Sequence, residues 1–125
     1  MQVNKFVSGI FWVIVVLLAR VTSAQNNAAP GKELFKSNCS PCHGESGKGD
    51  GPAGQALPVK PADLGERITT HHYSDQYLMD VISKGGGSVG KSNFMPAWSG
   101  ALTDKQIREI VAFLRTLPNS GSGNK

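Results

Sequence analysis

Residues 39 to 43 read Cys-Ser-Pro-Cys-His, and both cysteines of the chain lie inside that pentapeptide. Cys-x-x-Cys-His is the attachment signature of c-type haem. Two thiols at this spacing can each add to one of the two vinyl groups of a porphyrin, leaving two thioether bonds. The histidine directly after the second thiol is then held beneath the iron as its proximal ligand. On this reading Cys39 and Cys42 tether one haem c, and His43 binds its iron.

Three other chemistries use the same residues. A redox dithiol wants a thioredoxin-like strand and helix; here a Gly-rich stretch follows and no strand pattern precedes. A structural zinc site needs four ligands, and would have to recruit His71 or His72, which lack the finger spacing. A disulfide between residues so close closes a very small loop and would stabilise little.

The group on the far side of the iron decides what such a haem does. With one protein ligand the iron is open to substrate or gas; with two it suits electron transfer. The candidates are Met79, Met95, His71 and His72. Met95 is preferred. It sits in Lys91-Ser-Asn-Phe-Met-Pro-Ala-Trp98, a loop segment from which a sulfur can point inward without breaking helical hydrogen bonds. Pro96 fixes the backbone behind it, and Phe94 and Trp98 would wall the iron from water. Met79 lies on a predicted helix, off its apolar stripe and beside Asp80, and reads as packing or partly exposed surface. His71 and His72 read as solvated loop residues; ligation by one of them is the alternative, and would lower the potential that a methionine raises.

Short helices must position these groups. The spacing predicts a first helix from Pro30 or Gly31 through Asn38, with Leu34 and Phe35 as its apolar face. Gly31 lies one turn before Phe35, where a missing side chain lets another helix cross closely. Residues 44–61 hold five glycines and three prolines, which forbid long regular structure. An ordered loop over one haem edge is expected there. It has no Gly-Lys-Ser/Thr ending, so a phosphate-binding loop is rejected. Pro61-Ala-Asp-Leu64 reads as a turn before a short helical or irregular piece. Ser74 caps a helix through about Lys84, with Tyr77, Leu78, Val81 and Ile82 as its buried stripe, and Gly85-Gly86-Gly87 stops it. Thr103 and Gln106 form a capping box for the last helix. Its face is Ile107, Ile110, Val111 and Leu114, flanked by Phe113 and ended by Pro118. No segment alternates like a strand, and no internal repeat is visible.

The first 24 residues read as a secretory leader: a basic start at Lys5, an apolar run from Phe6 to Ala19, then small residues at Thr22-Ser23-Ala24. The run is short of the ~20 residues that a membrane span needs, so cleavage after Ala24 is expected and the mature chain is placed in the periplasm. Residues 25–30 form a polar lead-in, 31–118 the haem domain, and 119–125 a polar tail without regular structure. Lys5 and Arg20 leave with the leader, so the net charge falls from +4 to +2. A charge that small points to no nucleic acid.

Together these residues resemble a class I c-type cytochrome, the small monohaem bacterial kind, over Gly31 to Leu117. Gly31 and Phe35 match that family's Gly-x-x-x-Phe pair, and Ile110-Val-Ala-Phe-Leu114 is similar to the C-terminal helix that crosses it. Cys39, Cys42 and His43 match the haem site, and Met95-Pro-Ala-Trp98 the distal segment. Gly-Lys-Gly-Asp-Gly-Pro-Ala-Gly resembles many bacterial members, including haem domains fused to larger enzymes. The resemblance implies an all-α cytochrome c fold: three to five short helices around one covalent haem, with the N- and C-terminal helices crossing. It also implies that a loop proline, with Pro61 preferred over Pro52 and Pro58, accepts a hydrogen bond from the second ring nitrogen of His43.

The expected function is one-electron transfer between a protein donor and a protein acceptor, with no small-molecule substrate and no catalytic residue. The chain is expected to be a monomer that meets a membrane only in passing, or where the leader is retained. Lys36, Lys48 and Lys91 are candidates to steer an acidic redox partner. Two alternatives stand beside the free carrier. One is an accessory haem subunit of a larger oxidoreductase; the other is an open-site haem enzyme or gas sensor, drawing on Arg67 with His71 or His72.

Overall fold

The first and last long helices meet at the residue that the sequence marks for a crossing. In the computed structural model, which describes residues 28–122, helix α1 (Ala28–Asn38) lies across helix α6 (Asp104–Leu114). Gly31 is buried against the backbone of Glu109, where a β-carbon would collide. Phe35 lays its ring on Phe113 at 5.2 Å and 51°. Phe113 is thus part of the buried face rather than its flank. Phe35, Ile107 and Ile110 are the most completely buried side chains. Each such burial is worth roughly 1.5–3 kcal/mol, so this crossing anchors the core.

Between them run α2 (Ser40–His43), α3 (Pro52–Gln55), α4 (Leu64–His71) and α5 (Asp75–Lys84), with 3-10 turns at Gly86–Val89 and Ser120–Ser122. The described residues are all helix and loop, with no strand, as expected of the cytochrome c fold. Of the six α segments among the described residues, two are single turns. The first described helix includes Ala28 to Pro30, which the sequence reading puts in the lead-in. The last described residues form the Ser120–Ser122 turn, where a tail without regular structure is predicted. The proposed leader lies outside the described residues. Among those described, no helix is long and apolar enough to cross a membrane.

Local chemistry sets the helix ends. Thr103 Oγ1 accepts from the Gln106 amide at 3.3 Å, and Gln106 Oε1 accepts from the Thr103 amide at 2.9 Å. This is the reciprocal box that satisfies two otherwise orphaned donors. Ser74 Oγ caps α5 through the Tyr77 amide at 3.2 Å. Asp63 caps α4 through the Glu66 amide at 3.0 Å, so the piece after Pro61 is a regular helix. His72, at φ 50°, ends it in the left-handed region. Arg115 Nε donates to Asp75 Oδ1 at 2.8 Å and ties the end of α6 to the start of α5.

Candidate haem site

Cys39 follows α1 directly, its amide bonded to the Phe35 carbonyl at 2.8 Å. The Cys39 carbonyl then accepts from Cys42 at 3.1 Å and from His43 at 2.8 Å, which closes the turn of α2. Three- and four-residue spacing puts Cys39, Cys42 and His43 on one side of that turn, and all three line one cleft of about 360 Å³. Both thiols are free. Among the described residues no group of three or more His, Cys, Asp and Glu is placed to hold a metal ion, so the zinc alternative lacks its remaining ligands.

The Gly-rich loop is ordered and wraps the cysteine turn. Gly49 donates to the His43 carbonyl at 2.7 Å, and Leu64 to the Gly47 carbonyl at 2.8 Å. Gly47 and Gly49 have φ of 72° and 79°, where a side chain would be strained. β-Carbons at Gly51 and Gly54 would strike the backbone of Pro41 and Cys42. Leu57, Val59 and Pro61 bring the end of this loop to the cleft.

Met95, Phe94 and Trp98 reach the same cleft from a different segment. That segment is pinned to the end of α5. Gly86 donates to the Met95 carbonyl at 3.1 Å, Trp98 to the Ile82 carbonyl at 3.0 Å, and Ser99 to the Ser83 carbonyl at 3.2 Å. Gly85 and Gly86 therefore stop a helix and also seat the Met95 loop, since a β-carbon on Gly85 would stand 3.0 Å from the Met95 oxygen. Trp98 is half-buried against the core, whereas Phe94 is 54% exposed and walls the cleft only at its mouth. Met79 packs against the core and does not line the cleft. His71 and His72 are exposed, and neither borders it.

Some expectations are corrected. Of the predicted α5 stripe, Leu78 and Ile82 are buried, but Tyr77 and Val81 are only half-buried and face the cleft, as does Tyr73. Pro61 lines the cleft, yet the predicted bond from His43 to its carbonyl is not made. That carbonyl is turned onto Gly49, which has no β-carbon in the way. His43 Nδ1 is buried without a partner. Of the three steering lysines, only Lys91 borders the cleft, and Lys36 pairs with Glu45 at 3.5 Å. Leu57, Val59 and Lys60 line it unforeseen, and Arg67, named in the sequence only for an open distal site, lines it as well. The signal for the first three was position alone: each lies within four residues of Pro61.

The electrostatics suit a metal-binding porphyrin. Burial holds His43 below the ordinary histidine range, which keeps the imidazole neutral, as a ligand must be. Burial, and then the charge of Cys42, push the Cys39 thiol up to about 11. An apolar cleft with two thiols, one neutral imidazole and one thioether, beside an orphaned buried ring nitrogen, fits a c-type haem.

Residues 26–114 match the family described as cytochrome C oxidase, cbb3-type, subunit III. The chain is similar to the Cbb3-type cytochrome c oxidase subunit FixP of Bradyrhizobium diazoefficiens, 31% identical over 73% of this chain and 28% of that one. It is similar to the FixP subunit of Rhizobium etli, 31% identical over 93% of this chain and 34% of that one. The FixP subunit of Azorhizobium caulinodans is 33% identical over 72% of this chain and 27% of that one. The chain thus spans about a third or less of the length of these relatives. With the family match running from ahead of α1 to the end of α6, through both halves of the cleft, the chain belongs to the cbb3-type cytochrome c oxidase subunit III family and is a c-type cytochrome.

Proposed function

We propose that this chain is a one-electron relay that works as a haem-bearing accessory module of an oxidase. Cys39 and Cys42 would hold the haem covalently, and His43 and Met95 would bind its iron. The single observation that carries this is the convergence of these four side chains, from two distant segments, on one apolar cleft. The relatives are named as oxidase subunits, which favours the accessory role over the free monomeric carrier. Protein donor and acceptor are then its partners, on the periplasmic side of a membrane.

The bound haem supplies a ferrous–ferric couple, tuned by its axial ligands and burial. The protein's work is to hold and insulate. The α2 turn would place the two thiols and the imidazole for attachment and iron binding, and the loop seated on Gly85 and Gly86 presents Met95. Trp98, Tyr77 and Val81 exclude water. No bond of a substrate is made or broken.

The test is an optical spectrum of the protein from a host competent in cytochrome maturation. Covalent haem that survives acid extraction is expected. So is a ferric sulfur-to-iron band, lost in Met95→Ala and kept in Met79→Ala. Haem that washes out, or a band indifferent to Met95, would overturn the proposal. Copurification with a membrane oxidase supports the accessory role; exchange of electrons as a free monomer with several partners would return it to a carrier.

A further inference from the structure

Three cations line the cleft, Lys60, Arg67 and Lys91, and no carboxylate does among the described residues. Neither Arg67 nor Lys91 takes part in any ion pair there. The remainder of the lining is apolar, aromatic or uncharged. A haem carries two carboxylates, on the porphyrin edge away from its vinyl groups. Tethering the vinyl edge at Cys39 and Cys42 would turn that acidic edge away from the cysteine turn. A carboxylate placed beside apolar walls without a partner charge is costly.

We infer, on the strength of the haem reading above, that Arg67 and Lys91 receive these two carboxylates, with His71 as the residue that positions Arg67. Lys60 is the cation whose backbone neighbours lie toward the tethered side. It precedes Pro61, whose carbonyl abuts Gly49, and Gly49 is bonded to His43. Arg67 instead sits on α4, whose principal helix contact is the C-terminal Ser120–Ser122 turn. Its guanidinium is held in place. Arg67 Nη1 lies 3.1 Å from His71 Nε2, one turn further on. The His71 ring stacks on Tyr73 at 5.3 Å and 12°, and Tyr73 on Tyr77 at 4.4 Å and 24°. Both tyrosines border the cleft, so this stacked series fixes the guanidinium at its rim. A planar fork with fixed donors is suited to a carboxylate. Lys91 comes from the loop that carries Met95, so one cation stands on each of two separate segments.

The experiment follows the reduction potential of the haem-loaded protein against pH, for Arg67→Gln, Lys91→Gln, His71→Gln and Lys60→Gln. An ionised carboxylate stabilises ferric iron, so the potential falls as pH rises through the carboxylate's titration. A paired cation keeps the carboxylate ionised to lower pH. Its removal therefore moves that fall to higher pH, in Arg67→Gln and Lys91→Gln but not in Lys60→Gln. His71→Gln moves it the same way by less, and Arg67→Lys restores part of it. If Arg67→Gln does not accumulate, Lys91→Gln carries the test. Curves for Arg67→Gln and Lys91→Gln that match wild type, or move no further than Lys60→Gln, overturn the assignment. Slowed reaction with an acidic redox protein at unchanged potential does so too, because the cations would then face a partner. Loss of covalent haem in the wild-type protein itself would instead defeat the haem reading.

Discussion

The β-carbon that Gly31 lacks would fall on the carbonyl oxygen of Glu109. The two terminal helices thus touch backbone to backbone, and this contact sets how α1 delivers Cys39 to the cleft. Phe35, one turn on, is buried beside it and is bonded through its carbonyl to the Cys39 amide at 2.8 Å. One glycine therefore links the helix crossing to the placement of the first thiol.

Gly31→Ala should destabilise the haem-loaded protein by about 2 kcal/mol. In an open helix this change gains roughly 1 kcal/mol. Here the new methyl meets backbone that cannot swing aside, and overpacking of that kind costs roughly 1–3 kcal/mol or more. Lys32→Ala, on the exposed side, should stay within about 0.5 kcal/mol. Urea unfolding compares the two. A more stable Gly31→Ala would mean that the helices do not cross at this point.

The terminal helices and the cysteine turn were legible in the sequence because each rests on local chemistry. The Thr103–Gln106 box, the Ile107–Leu114 stripe and the Cys39–His43 spacing need no distant partner to be read. The cleft wall was not, because it depends on where loops land. Tyr77 and Val81 look like core by helical period, yet they face the cleft. Period reports which side of a helix is apolar, and leaves open whether protein or cofactor covers it. Arg67 could be nominated from the sequence but not placed, since its position is set by the fold of α4. The expected His43–Pro61 bond failed for a similar reason: sequence order cannot tell which way a carbonyl turns.

Gly86→Ala should loosen the methionine ligand while leaving the haem attached. A β-carbon there would press on the Ser92 carbonyl and stand 3.2 Å from the β-carbon of Met95. The loop must shift, so the ferric sulfur-to-iron band should weaken and carbon monoxide should bind the ferrous protein faster. Gly87→Ala is the contrast, because its β-carbon meets only the end of the Asn93 side chain, which can move. Equal spectra for the two variants would mean that Gly86 does not seat the Met95 loop.

Thr103→Ala should cost about 1 kcal/mol, the usual loss for an N-cap. It removes the acceptor for the Gln106 amide at the head of α6, the helix that buries Ile107 and Ile110. Thr103→Ser keeps the oxygen and should recover most of the loss. Denaturant midpoints check this, and an unchanged midpoint in Thr103→Ala would show that the box contributes nothing.

The Cys39 thiol of the haem-free chain should resist alkylation at neutral pH. Burial raises it from 9.0 to about 11, with the charge of Cys42 adding to the effect. At pH 8 its thiolate would be roughly a hundredfold scarcer than that of an ordinary cysteine. Peptide mapping after iodoacetamide treatment should show Cys39 labelling slowly in the folded chain and at the ordinary rate in urea. The linkage runs the same way. A raised acid favours the protonated folded form, so its stabilisation is complete below about 9 and is lost as pH climbs through about 11. The slope approaches ~1.4 kcal/mol per pH unit in that window, and Cys39→Ala should flatten it. Labelling of Cys39 at pH 8 as fast in the folded chain as in urea would sink this account. The thiolate is also the form that attacks a disulfide oxidant, so Cys39 of the folded chain should react with such an oxidant as slowly as with iodoacetamide.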